Sequence, residues 1–170
     1  MTIEIFSYLK RSNICRTLAD SEIKEIESFF EKQEVPEGQV IFQKGDIADA
    51  LYVIGKGVVE IRLLQGSSEE MILQLSDCDV LGEVGLLTDH IRQGTAVSLT
   101  PLTLLKLPRM TFEKLLSDNR WPIYKLVYQV AKILSWRLRK MDDAMGRLIE
   151  DKNKTDLNQL RAKLQTEWPF

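Results

Sequence analysis

The sequence predicts a mostly β fold, a barrel or sandwich, with helices on its N-terminal side and one long helix on its C-terminal side. Three observations carry this. Between Gln39 and Leu107, short β-rich runs follow one another, separated by Gly, Asp, Ser or Pro, which is the texture of an all-β barrel or sandwich. The first thirty or so residues have helical spacing instead. From Tyr124 onward, apolar residues keep a strict 4-3 spacing, as in a coiled-coil helix.

In "LADSEIKEIESFFEK", Leu18, Ile23, Ile26, Phe29 and Phe30 share one apolar stripe, with Asp20 or Ser21 as the expected N-cap. "QEVPEG" breaks the pattern, because Pro36 and Gly38 are turn residues. The expected strands are "QVIF", "LYVI", "VVEIRLL", "MILQLS", "TAVSLT" and "LTLLKL". In "MILQLS", Met71, Leu73 and Leu75 alternate with Ile72, Gln74 and Ser76, which suits a strand with one more strongly buried face. "PRMTFEKLLSDN" restarts helix, with Thr111 as the expected N-cap. Pro122 opens the long helix, a place where its missing N–H would be unpaired anyway.

Along that helix Tyr124, Val127, Ala131, Leu134, Leu138, Met141, Met145 and Leu148 hold the a and d positions. Such a seam predicts a homodimer paired helix to helix. A second stripe, Ile123, Leu126, Val130 and Ile133, covers the first half only, so that half has apolar surface for both its own domain and a partner. The residues after Glu150 are expected to add one short helix around Leu157, Leu160 and Leu164. The chain is thus expected to form one domain over 1–150, including the long helix at about 122–150, and a tail over 151–170 with no second domain.

A chain of 170 residues with 44% hydrophobic and 28% charged content has an ordinary globular composition. Its formal charge of -2 gives no electrostatic case for binding DNA or RNA. No apolar run approaches the roughly 20 residues that cross a bilayer, and "MTIEIFSYLKRSN" lacks the basic-then-apolar order of a signal peptide. A cytoplasmic protein is expected, with Cys15 and Cys78 as reduced thiols, since they show no CxxC spacing. The single histidine, His90, gives no basis for a histidine-rich metal site or a second-histidine triad. Neither an enzyme nor a resident cofactor or metal is expected.

The stretch "VLGEVGLLTDHIRQGTAVS" is mostly apolar, yet it carries the acid Glu83 and the base Arg92. Charged groups are almost never fully buried unless paired. The two either pair with each other or serve different parts of a ligand.

"PEGQVIFQKGDIADALYVIGKGVVEI" followed by "LGEVGLLTDHIRQGTAV" resembles the cyclic-nucleotide-binding domain family, which includes the catabolite activator protein and the regulatory subunits of protein kinase A. The marks are Gly38, Gly45 and Asp46 in "GDIADALYVI", Gly57, then Gly82-Glu83 and Arg92. The resemblance covers about Leu18 to Ile149. It implies a β-roll (a double-stranded, jelly-roll-like β-helix) with N-terminal helices and a long C-terminal dimerisation helix. It also implies a phosphate-binding cassette over Leu81 to Val97, with Gly82, Glu83, Val84, Arg92, Gln93 and Gly94 as ligand-binding residues. In that assignment the planar, permanently charged Arg92 binds phosphate oxygens, and Glu83 accepts the ribose 2′-OH. "GEVGLL" forms a short helical turn with its N–H groups towards the anion, and Gly82 and Gly94 let the backbone approach closely.

Several positions depart from the family pattern. Cys78 stands where glycine is usual, Ile91 where proline is common, and Gly94 where alanine is common. Gln93 occupies the place of a hydroxyl residue that favours guanine, which tilts the expectation towards cyclic AMP over cyclic GMP. The family often covers the base from the long helix; Arg137, Met141 and Asp142 lie in that region, with Met141 chosen as the base cap. His90 is expected to be a solvated loop residue. Family transcription factors carry a helix-turn-helix after the long helix, and "DKNKTDLNQLRAKLQTEWPF" is too short and not basic enough to supply one. Output is therefore expected to pass to a separate protein, with Trp168 and Phe170 as a candidate handle. Two alternatives stand beside this: a dimerisation module whose β-roll no longer responds to nucleotide, and a sensor of another nucleotide such as cyclic di-GMP.

Overall fold

The computed structural model describes residues 2–65, 68–88 and 91–150. His90 and the tail, with its expected short helix and with Trp168 and Phe170, lie outside the described residues. The chain forms two compact units, residues 1–130 and 131–170.

In the first unit, helix α1 (Thr2–Arg11), a 3-10 turn (Asn13–Cys15), α2 (Asp20–Ile26) and a second 3-10 turn (Glu27–Phe29) precede the strands. The strands are β1 (Glu31–Val35), β2 (Val40–Phe42), β3 (Ala50–Lys56), β4 (Val59–Gln65), β5 (Ser68–Leu75), β6 (Val80–Leu81), β7 (Thr95–Ser98) and β8 (Leu102–Pro108). Helix α3 (Glu83–Leu87) interrupts them between β6 and β7, and α4 (Arg109–Ser117) and α5 (Trp121–Glu150) follow β8. The described strands make two antiparallel four-stranded sheets, ordered β1-β8-β3-β6 and β2-β7-β4-β5. This is the β-roll with flanking helices that the sequence implies.

The core is built by alternation. Ala50, Tyr52 and Ile54 of β3 join Leu102 and Leu104 of β8 and Ala96 of β7 in one cluster. Leu51 and Val53 are buried too, and period-2 geometry puts them on the other face of the sheet. A strand covered on both sides reads as an unbroken apolar run, and "ALYVI" does.

Several expectations are corrected here. β1 falls in "EKQEV", which the sequence reading leaves without a strand. It sits at a sheet edge beside β8 alone, where charged side chains are tolerated and protect the edge. β6, also absent from the expected strands, has only two residues, too few for a period to show. Leu73 is 39% exposed, so in β5 only Leu75 reaches the core among the side chains described there. α2 is capped by Ala19, whose N–H donates to Glu22 Oε2 at 2.8 Å, the backbone half of a capping box. α4 begins at Arg109 with Pro108 as N-cap, so Thr111 lies inside the helix.

The start of α5 is bound to the N-terminal segment. Ile123, Leu126 and Val130 of the expected second stripe are buried, and Ile133 is half-buried. Beside them Lys125 Nζ donates to both Glu22 oxygens at 2.6 and 2.8 Å, and Gln129 Nε2 donates to Thr17 Oγ1 at 3.0 Å. The Lys125 hydrogen bond, with help from the Ala19 N–H, holds the Glu22 carboxyl below the usual range. Tyr124, Leu138 and Met141 of the a/d seam are exposed; the side chains of Met145 and Leu148 lie outside those described. No helix among the described residues is long and apolar enough to cross a membrane. Both cysteines are free, and burial pushes the Cys15 thiol up to about 11, so Cys15 serves as a core hydrophobe.

Candidate functional site

The site is organised by the segment from Gly82 to Arg92 lying against the start of β3. Gly82 has φ +81 and stands before α3 as its N-cap. A Cβ there would lie 3.0 Å from the Ala50 carbonyl oxygen and against Nη1 of Arg92. At Gly85 a Cβ would meet the Ala48 side chain and lie 3.2 Å from the Ile91 carbonyl oxygen. Both glycines therefore permit a close approach that no other residue allows.

Arg92 is fixed first by its backbone. Its N–H donates to Asp46 O at 2.9 Å, and its carbonyl accepts from Gly45 N, also at 2.9 Å. The "GD" of the quoted run thus anchors the arginine. The side chain is 1% exposed. Nη2 donates to Asp49 Oδ1 at 3.1 Å and Nη1 to Gly82 O at 3.3 Å. The guanidinium lies 4.1 Å from the Phe42 ring centroid and 5.6 Å from that of Tyr52, the stacking for which arginine is suited. Nε is buried and has no hydrogen-bond partner, one of two such side-chain atoms among the described residues.

Asp49 is shared. Its Oδ2 accepts from Lys106 Nζ at 2.8 Å. Burial works to raise the Asp49 carboxyl, but the Lys106 hydrogen bond and the Lys106 and Arg92 charges outweigh it and leave the group below the usual range. The bond to Asp49 raises Lys106 in turn, against burial. Desolvation raises the Tyr52 phenol between them.

Glu83, the first residue of α3, is 2% exposed. Val84 and Gln93 are exposed, and Gln93 Nε2 donates to Ile91 O at 3.4 Å. Gly94 is bare for a local reason: a Cβ would come within 2.8 Å of Arg62 O and 3.0 Å of the Leu63 side chain, so the close approach it permits is to β4. Met141 belongs to the second unit and is exposed.

The arrangement brings Gly82, Glu83 and Arg92 together and adds residues that sequence reasoning missed. Asp49 lies within the quoted "GDIADALYVI", but nothing in one dimension ties it to Arg92. Lys106 and Tyr52 are cross-strand partners of β8 and β3, a relation set by register. Arg109 supports α3 from α4. Its Nε donates to Ala48 O at 2.7 Å and its Nη1 to Leu86 O at 3.1 Å, while Nη2 bonds Gly85 O. The bonds to Gly85 and Leu86 satisfy carbonyls at the C-terminal end of α3, where helix geometry leaves them unpaired and a cation is favoured.

Chemically the site offers a buried cation with an unfilled donor, and a buried carboxylate able to accept from a hydroxyl. Among the described residues no three His, Cys, Asp or Glu side chains gather as a metal site.

Residues 32–119 match the cyclic nucleotide-binding domain family. The cyclic AMP receptor protein of Thermus thermophilus is 31% identical over 135 residues, 79% of this chain and 61% of that protein. A crystal structure of the Thermus thermophilus catabolite activator protein superposes with a TM-score of 0.71 at 30% identity, over 81% of this chain and 63% of that one. The cAMP-dependent protein kinase regulatory subunit of Dictyostelium discoideum is 30% identical over 112 residues, 64% of this chain and 34% of that protein. The chain thus spans less than two thirds of the length of each of these relatives. The first is named as a receptor and the last as a regulatory subunit.

Proposed function

The chain belongs to the cyclic nucleotide-binding domain family, and on that premise we propose that it is a non-enzymatic sensor whose Arg92 takes the phosphate of a cyclic nucleotide. Glu83 accepts from the ribose 2′-OH, and Gly82, Val84, Gln93 and Gly94 frame the ligand. Cyclic AMP is favoured over cyclic GMP, because Gln93 offers no hydroxyl beside the base, and Met141 covers the base. The names of the Thermus and Dictyostelium relatives both refer to cyclic AMP, which supports the same preference. In this reading the protein works in the cytoplasm as a homodimer paired through α5, neither binds DNA nor enters a membrane, and passes the bound state to a separate protein.

The observation that carries the reading is the Arg92 guanidinium, 1% exposed, stacked on Phe42, with Nε unpartnered and the half-exposed Asp49 as its ion-pair partner. Burying a cation without full compensation is costly, and a phosphate anion supplies both the missing charge and the missing acceptor.

A thermal-shift panel of cyclic AMP, cyclic GMP, cyclic di-GMP and AMP tests this. A ligand at about 100 times its dissociation constant adds roughly 2.7 kcal/mol of stability. The expected result is a rise in Tm with cyclic AMP first and none with AMP. No rise with any of the cyclic nucleotides at millimolar concentration would leave the dimerisation reading in its place.

A further inference from the structure

We infer that Lys106 is the second cation of the ligand site, offsetting Asp49 so that Arg92 keeps its charge for the ligand, and so setting how tightly the site binds a phosphate monoanion. This rests on the reading of Arg92 as the phosphate ligand. The geometry is a chain of three charges. Arg92 Nη2 bonds one oxygen of Asp49 at 3.1 Å and Lys106 Nζ bonds the other at 2.8 Å. Asp49 thus has both oxygens engaged, and the three groups together carry a net positive charge.

Remove the lysine charge and the balance changes. Arg92 and Asp49 then form a neutral pair, and an arriving phosphate has to compete with a carboxylate that has no other counter-ion. With Lys106 present, the carboxylate is held from its far side, and Arg92 is left with attraction to spare. The placement is not incidental: Lys106 is the cross-strand partner of Tyr52, whose ring lies 5.6 Å from the guanidinium. At 21% exposure its side chain is largely covered, so its charge is less screened than that of a free surface lysine.

Cyclic AMP binding measured by titration calorimetry at low and high salt tests the inference, with thermal unfolding of each unliganded variant as a check on folding. Lys106→Gln keeps a hydrogen-bond donor and loses the charge. The loss of a unit charge beside the Arg92–Asp49 pair, seen through a dielectric between those of the protein surface and water, should lower affinity by roughly three- to thirtyfold. The salt dependence should shrink with it. Lys106→Arg keeps the charge and should bind within about threefold of the wild type. In Lys106→Gln/Asp49→Asn the net charge beside Arg92 returns to its original value, and affinity should recover towards wild type. A wild type that binds while Lys106→Gln binds equally well overturns the inference and leaves the site reading standing; Lys106→Arg falling as far as Lys106→Gln overturns it as well. A wild type that binds no cyclic nucleotide removes the site reading itself, and the inference with it.

Discussion

Gly82 and Arg92 contend for the same space: a Cβ at position 82 would press on Nη1 of the arginine, in a backbone that already has φ +81. Gly82→Ala should therefore act twice. The left-handed backbone and the contact together should cost about 1–3 kcal/mol of stability, read by denaturant unfolding. The displaced guanidinium should also lose at least about tenfold in cyclic nucleotide affinity. Unchanged affinity in a folded variant would mean that the glycine serves the backbone alone.

Arg92→Leu separates ligand binding from packing. Asp49 keeps Lys106 and solvent when the arginine is gone, so the unliganded protein should change by no more than about 1 kcal/mol. Affinity should fall steeply, because a desolvated phosphate left unpaired costs about 2–5 kcal/mol, or roughly thirty- to several-thousandfold. Unfolding and binding are to be measured on the same preparation. A variant several kcal/mol less stable, from a parent that binds no cyclic nucleotide, would make Arg92 a structural ion.

Glu83 is tested by the ligand rather than by mutation. A 2′-deoxy cyclic nucleotide withdraws one hydrogen bond from a buried carboxylate, worth roughly 1.5–3 kcal/mol and so about ten- to a hundredfold in affinity. Calorimetry giving equal affinities for the ribose and deoxyribose ligands would remove Glu83 from ribose recognition.

Cys78 has φ 74, a region that glycine enters freely and a side chain does not. Its backbone is pinned there, its N–H donating to Ile54 O at 2.8 Å and its carbonyl accepting from Asn13 N at 2.9 Å. Cys78→Gly should thus stabilise the protein by about 1 kcal/mol, visible as a higher denaturant midpoint with ligand affinity unchanged. A lower midpoint would show that the cysteine side chain contributes more than its backbone loses.

The α5 seam predicts assembly. Leu138 and Met141 are exposed on one chain and occupy a and d positions of the heptad. Light scattering at tens of micromolar should find a dimer, and Leu134→Asp with Leu138→Asp a monomer or a destabilised chain. A monomeric wild type at that concentration refutes the pairing.

The parts of this protein legible in its sequence are those that depend on neighbours along the chain. The apolar runs of β2 to β5, β7 and β8 show their strands, because alternation and turn residues are local. Gly82, Glu83 and Arg92 stand out because a charge within an apolar stretch needs an explanation. Asp49, Lys106 and Arg109 stay hidden, since their roles come from sheet register and from a helix that lies next to α3 in space only. β1 is hidden for a different reason: an edge strand carries charges that erase the apolar pattern. That Cys78 departs from the usual glycine is visible in the sequence, and only the backbone angle shows what that departure costs.

Arg109 has a mechanical consequence. Its head group is fastened to the backbone of residues 85 and 86 and to Ala48, while its own N–H is fastened to Asp49 O at 2.7 Å. A rod clamped at both ends transmits thrust, and this one joins α3 to the first turn of α4. Any tilt of residues 83–87 has to be delivered to residues 109–117, or else these hydrogen bonds must break.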